Sequence, residues 1–105
     1  MVVTLIWSTT DILQNDYVVF VHLLDSAGNL LTSHDGLPAA GRRPTTTWTT
    51  NEIVLDVHKF QVPTVSVKGQ VSLVAGLYTN ENGERLNLVG GADSITIYDL
   101  EITPN

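Results

Sequence analysis

The segment Tyr17–Leu24 constrains the fold most, because nearly all of its residues are β-branched, aromatic or aliphatic. Such a run, ended at once by the turn-forming sequence Asp-Ser-Ala-Gly-Asn at 25–29, is typical of a β-strand buried on both faces. Residues 30–34 again suit a strand, and the turn residues between the two segments tolerate left-handed backbone. The sequence therefore predicts a hairpin, with Asp25 capping the turn through its side chain.

The same plan recurs along the chain. Residues 2–7 and 70–78 alternate in the manner of strands, and we expect Trp7 to be buried. The expected core positions of the second segment are Val71, Leu73, Ala75 and Leu77. Residues 52–62 are predicted to form a long strand, with apolar positions at 53, 55 and 57 and then at 60 and 62. This change of phase predicts a β-bulge near His58 and Lys59.

Three shorter segments complete the predicted strand set. Residues 45–48 favour a short edge strand, the sequence Asn-Glu-Asn-Gly at 80–83 predicts a hairpin returning into residues 84–88, and residues 94–102 close the domain. Turn signals recur at intervals typical of an all-β domain. We therefore predict that residues 1–105 form a single domain, an antiparallel immunoglobulin-like β-sandwich of seven to eight strands with Greek-key connections.

Charge and composition exclude several classes of partner. The chain of 105 residues carries 11 acidic and 5 basic side chains, for a formal net charge of −6. Because nucleic acids and anionic lipids require a basic surface, the sequence argues against both. No apolar run approaches the length of a membrane-spanning helix, which argues against direct membrane insertion. Residues 1–7 lack the basic leader and small-residue cleavage site of a signal peptide.

No residue pattern predicts catalysis. The chain has no cysteine, which excludes disulfides and thiolate sites, and it contains no Gly-x-Ser-x-Gly motif. Asp99 and Glu101 point the same way on one predicted strand, where a solvated polar face explains them better than a general acid with its base. His22, His34 and His58 show no tight metal-ligand spacing. We expect no catalytic residue, no metal and no cofactor.

Exposed aromatic rings and nearby polar side chains offer the best candidates for ligand contacts. Carbohydrate-binding sandwiches stack sugar rings on such aromatics, and one tryptophan follows a loop with two arginines. The candidate ligand-binding residues are Trp48, Arg42, Arg43, Tyr78 and Asp35. A homodimer is a further hypothesis, through an unpaired sheet edge or the face carrying Phe20 and His22, because free strand edges promote association.

Several short sequence segments together resemble one known family. They are Asp-Tyr-Val-Val-Phe-Val-His-Leu-Leu-Asp at 16–25 with Gly28, His-Asp-Gly-Leu-Pro at 34–38, Arg-Pro-Thr at 43–45 with Trp48, Ala-Gly-Leu-Tyr at 75–78 and Asn-Gly-Glu-Arg-Leu at 82–86. The chain resembles, over nearly its whole length, an uncharacterised β-sandwich module at the C-terminal end of multi-spanning, mannosyltransferase-like membrane glycosyltransferases of green non-sulfur bacteria. Thr-Thr-Asn at 49–51 stands where that family places a Pro-Gly turn before the acidic residue matched by Glu52.

The resemblance implies an extracytoplasmic module beside a transferase, with no catalytic residue of its own. Our first hypothesis is a non-catalytic accessory or interaction module that acts through protein contacts or by spacing a catalytic domain. The alternative is a carbohydrate-binding module that uses the candidate residues named above. A small hydrolase is the third hypothesis, and a deep pocket with several carboxylates or a histidine pair would favour it.

Overall fold

The computed structural model describes residues 1–62 and 70–101 and shows an all-β protein with two antiparallel sheets. The strands are β1 (Val2–Trp7), β2 (Tyr17–Leu24), β3 (Leu30–Gly36), β4 (Val54–Lys59), β5 (Gln70–Thr79) and β6 (Ile95–Glu101). One sheet pairs β1 with β4, and the other has the order β3-β2-β5-β6. The described residues contain no α-helix, only 3-10 turns at Pro38–Gly41 and Thr45–Thr47.

A single hydrophobic cluster contains side chains from both sheets. Strand alternation places one set of side chains of each strand on a shared inner side. The predicted core positions of β5 are confirmed, as is the burial of Trp7. The buried apolar residues of this cluster are Val3, Leu5, Trp7, Val19, Val21, Leu23, Trp48, Val54, Val71, Leu73, Ala75 and Leu77.

The predicted hairpin of β2 and β3 is confirmed. The strands pair antiparallel, and the Asp25 side chain accepts hydrogen bonds from the backbone amides of Ala27 (2.9 Å) and Asn29 (2.8 Å). The backbone and side chain of Asn29, together with the nearby amides, lower the pKa of Asp25 against the opposing effect of its burial. The turn is thus closed by its own first residue, as the sequence predicts.

Two predicted strands take another form. Residues 45–47 form a 3-10 turn, because Thr47 and Trp48 donate backbone hydrogen bonds back to Pro44 and Thr45. The segment 84–88 follows the predicted turn, but it pairs with β5 only at a single bridge between Arg85 and Tyr78, flanked by two backbone hydrogen bonds. Residues 45–47 do not form a strand because their backbone bonds are made locally, directly after Pro44. Residues 84–88 do not form a regular strand because they pair with β5 at only one bridge.

The predicted bulge near His58 and Lys59 is wrong. β4 pairs with β1 in an unbroken register, from Trp7 opposite Val54 to Val2 opposite Lys59. The alternation of β4 places Val54, Asp56 and His58 inside and leaves the intervening residues exposed. The strand therefore buries the Asp56 carboxylate and the His58 imidazole and exposes Leu55. The buried polar pair and the exposed apolar side are the two features described next.

Candidate functional site

The outward side of the β1–β4 sheet is an exposed apolar surface, called here the outer face. In the antiparallel register Ile6 lies opposite Leu55 and Thr4 opposite Val57, so these side chains share one side of the sheet. Ile6 is 65% exposed, Leu55 60% and Val57 47%. The outer face comprises Val2, Thr4, Ile6, Ile53, Leu55, Val57 and Lys59. Contiguous apolar surface of this kind marks interaction sites.

The inward side of β4 holds a buried carboxylate with three hydrogen-bond donors. Asp56 is fully buried, and its Oδ1 accepts the Ala39 backbone amide at 2.9 Å. Its Oδ2 accepts the Trp7 indole Nε1 at 3.1 Å and lies 2.7 Å from His58 Nε2. Burial alone would raise the pKa of Asp56, but the hydrogen bonds from His58, Ala39 and Trp7 together lower it. The carboxylate is therefore ionised at neutral pH, and His58 Nε2 carries a proton toward it.

The same chain of contacts continues to a second histidine. His58 Nδ1 lies 2.8 Å from His34 Nδ1, and the two rings meet edge to face with centroids 5.0 Å apart. His34 also stacks on Phe60 at a centroid distance of 6.3 Å. The three residues Asp56, His58 and His34 are called here the histidine bridge, because they join β4 to β3 of the other sheet. The two histidines line an open cavity of about 680 Å³, and Asp56 lies buried behind them.

Three of the candidate ligand residues lie around one loop. Trp48 is only 3% exposed, donates its indole Nε1 to the Arg43 carbonyl at 2.9 Å, and packs on Trp7 with ring centroids 6.5 Å apart. It is therefore part of the core, and the expected exposed ring is not found. Arg43 donates two hydrogen bonds to the Glu52 carboxylate, from Nη1 at 2.9 Å and from Nη2 at 2.6 Å. These bonds, together with one from the Thr49 amide, lower the pKa of Glu52 to about 2. Arg42 is exposed to solvent.

The other two candidates meet on the outward side of the four-stranded sheet. The Tyr78 hydroxyl donates to Asp35 Oδ2 at 2.9 Å, and His22 Nε2 lies 3.6 Å from Asp35 Oδ1. Burial and then the Asp35 carboxylate raise the pKa of Tyr78. The Arg85 guanidinium lies over the Phe20 ring, with its Cζ atom 4.4 Å from the ring centroid, and Phe20 is 1% exposed. This group of residues, called here the aromatic face, is Phe20, His22, Asp35, Tyr78 and Arg85.

Tyr78 and Trp48 were both predicted as ligand contacts, but they lie in different parts of the structure. Trp48 packs in the core on Trp7, whereas Tyr78 lies on the aromatic face beside Asp35. Sequence reasoning also missed the histidine bridge, although Asp56 and His58 carry a readable signal: two polar side chains two residues apart share one face of a strand. His34 lies 24 residues from His58, so only tertiary structure reveals that pair. The side chains of Asp99 and Glu101 lie outside the described part of the structure.

Comparisons with known proteins find no match among family models, curated proteins or solved structures. Within residues 1–62 and 70–101, no helix has the length and apolar character needed to cross a membrane. The same residues contain no group of three or more acidic, histidine or cysteine side chains arranged to hold a metal ion. In the histidine bridge the nitrogen and oxygen atoms that could bind a metal are hydrogen-bonded to one another and do not point toward a common centre.

Proposed function

We propose that this chain is a non-catalytic accessory domain that docks onto another protein through the outer face of the β1–β4 sheet. The observation that carries the proposal is the exposure of five large aliphatic side chains, four on one small sheet and one directly before β4. They are Val2, Ile6, Ile53, Leu55 and Val57. The resemblance described above supports an extracytoplasmic position beside a membrane glycosyltransferase.

The energetics of the outer face favour a covered state. Fully burying one such side chain yields about 1.5–3 kcal/mol, so covering the exposed 47–65% of each yields about 1 kcal/mol per residue. Five residues together offer enough to offset part of the entropy lost on association. The opposite faces of β1 and β4 already pack in the core, so this sheet has apolar residues on both sides, as in strands buried between two layers.

The chemistry of the outer face favours an apolar protein surface as the partner. Lys59 is the one cation among its seven residues, and the whole chain has a net charge of −6, which disfavours anionic lipid and nucleic acid. The like charge of two copies also opposes close pairing of this chain with itself. A partner with an aliphatic patch and a neutral or basic rim fits these features.

Site-specific photo-crosslinking tests the proposal in the cells that produce the protein. A photoreactive phenylalanine analogue at position 55 or 6 is expected to give one discrete adduct with another protein, and the same analogue at position 26, in the β2–β3 turn, none. Ile6→Lys should abolish the adduct formed from position 55. With the partner purified, Leu55→Lys should weaken binding at least tenfold while the midpoint of urea unfolding stays unchanged, because position 55 is exposed.

Three results would contradict the docking proposal. Equal adducts from positions 55 and 26 would indicate non-specific contact. An adduct of twice the chain mass would make a second copy the occupant, which light scattering at two concentrations would verify. Unaltered affinity of the purified partner for Leu55→Lys would place the interface elsewhere on the molecule.

We also propose that the two sheets form an immunoglobulin-like sandwich with Greek-key connections. The mixed origin of the core cluster supports this arrangement, since both sheets contribute buried side chains to it. The segment 84–88 borders β5 through its single bridge, so the proposed sandwich consists of the six regular strands and this bridged segment. NMR contacts between core side chains of the two sheets would support the proposal, and a single open layer would reject it.

A carbohydrate-binding role is the second candidate, and the aromatic face favours it. Tyr78 presents a partly exposed ring whose hydroxyl is held by the exposed Asp35 carboxylate, a polar and aromatic combination that suits sugar hydroxyls and ring faces. A glycan array followed by NMR titration should then show shifts at Tyr78 that Tyr78→Ala removes and Arg42→Ala does not. The absence of any binder on the array, at millimolar glycan, would reject the role.

A further inference from the structure

We infer that the contact between His34 and His58 is a proton-sensitive latch that holds the two sheets together. His34 belongs to β3 of the four-stranded sheet, and His58 belongs to β4 of the two-stranded sheet. Their Nδ1 atoms lie 2.8 Å apart, a hydrogen-bond distance. A bond at this distance needs one nitrogen with a proton and one without.

Counting protons shows why the latch responds to acid. The other ring nitrogen of His58 faces the Asp56 carboxylate at 2.7 Å and carries a proton. A neutral His58 therefore accepts at Nδ1, and His34 donates from its own Nδ1. When both rings are cationic, two N–H groups face each other at the contact. The closed latch thus binds one proton fewer than two free histidines.

The groups around the latch do little to stabilise two cationic rings whose N–H groups face each other. His58 is 2% exposed, so water cannot screen a second charge there. Asp56 already accepts from Trp7 of β1 and from Ala39 of the 3-10 turn, and it favours one cation in the bridge. The Phe60 ring covers one side of His34. Three further charged groups lie nearby. Asp35, which is bonded to Tyr78, and Lys59 line the neighbouring cavity, and the Met1 amino group donates to the Phe60 carbonyl at 2.6 Å.

Acidification should therefore open the latch and separate β3 from β4 at this end. Free imidazoles titrate near pH 6.5, so the unfolded chain takes up the extra proton below about pH 6. Where the unfolded state binds one more proton than the folded state, the unfolding constant rises about tenfold per pH unit as the pH falls. The contact is consequently stable at neutral pH and lost in mild acid.

A pH series of urea unfolding from pH 7.5 to 5.0 tests the latch with two matched variants. His34→Asn keeps a side-chain donor near the Nδ1 position, and its amide can turn its oxygen toward a cationic His58. It should therefore lose most of the acid dependence. His22→Asn removes a partly exposed histidine of the aromatic face but leaves the latch intact, so this variant should still lose stability in acid. Equal pH dependence in all three proteins would overturn the inference.

An NMR measurement on the wild-type protein keeps the inference testable even if a variant fails to fold. Two-bond proton–nitrogen spectra report the protonation of each ring nitrogen of His34 and His58. At pH 7.5 one Nδ1 of the pair should carry a proton and the other none. At pH 5.0 a second cation should appear together with loss of the nuclear Overhauser contacts between the rings. Two cationic rings with those contacts intact would refute the latch.

Discussion

Replacing Asp56 tests the histidine bridge most sharply, because this one side chain accepts hydrogen bonds from three other groups. Asp56→Ala leaves the Trp7 indole, the Ala39 amide and His58 Nε2 without their acceptor inside the protein. Each buried donor left without its acceptor costs about 1–3 kcal/mol, and the substitution leaves three such donors. We expect a loss of about 3–5 kcal/mol in the free energy of unfolding.

Asp56→Asn refines the same test, because it keeps the shape and exchanges one acceptor for a donor. Trp7 and His58 use one carboxylate oxygen and Ala39 uses the other, so either amide orientation sets the new NH₂ group against a donor. The expected loss is about 1–3 kcal/mol, smaller than for alanine. Asp93→Ala, at an exposed pair with Arg85, is the control and should change stability by less than about 0.5 kcal/mol.

Urea unfolding at pH 7.5 measures all three variants, and the fluorescence of Trp7 and Trp48 reports the core in which both lie. Stability of Asp56→Ala within about 0.5 kcal/mol of wild type would refute the reasoning. So would an asparagine variant less stable than the alanine variant, because asparagine retains one acceptor oxygen for these donors and alanine retains none.

Further predictions concern packing, a buried hydroxyl and two carboxylates. Gly76→Ala should destabilise by about 1–3 kcal/mol in urea, since a Cβ there would lie 2.5 Å from Phe20 ring atoms, while Gly36→Ala, with its nearest contact at 3.9 Å, should be close to neutral. Thr45→Val should cost about 1–3 kcal/mol, because the buried hydroxyl donates to the Asn15 carbonyl and accepts the Tyr17 amide; an equal loss from exposed Thr46→Val would contradict this. In Arg43→Ala, NMR titration should find the pKa of Glu52 raised from about 2 toward its ordinary 4.5, and no rise would contradict the ion pair. Because the folded pKa of Asp56 lies below its ordinary 3.8, its stabilising contribution should be full above about pH 4 and fall as the pH drops further; Asp56→Asn should lack that part of the acid dependence.

Local sequence predicted the elements whose partners are nearby in the chain. The β2–β3 hairpin follows from two apolar runs joined by a turn that Asp25 closes itself. The core side of β5 follows from strict alternation, which is confirmed at Val71 through Leu77. These features need no knowledge of distant residues, because period and turn chemistry decide them.

The interior of β4 could not be predicted in the same way. Residues 55–58 alternate between apolar and polar, and hydrophobicity favours Leu55 and Val57 as the inner set. The structure buries Asp56 because its donors arrive from Trp7 and Ala39, at distant positions in the chain. Trp48 is similar, since its burial depends on packing against Trp7. Tertiary hydrogen bonding thus decides which face of this strand turns inward.

The orientation of β4 is therefore the claim on which both proposals depend, and solvent accessibility of its methyl groups tests it directly. A soluble paramagnetic agent, added to dilute protein at neutral pH, broadens the NMR signals of exposed methyl groups. We predict strong broadening for Leu55, Val57 and Ile6 and protection for Leu23 and Leu73. Protected Leu55 and Val57 methyls, together with solvent-exposed rings of His58 and His34, would contradict the account.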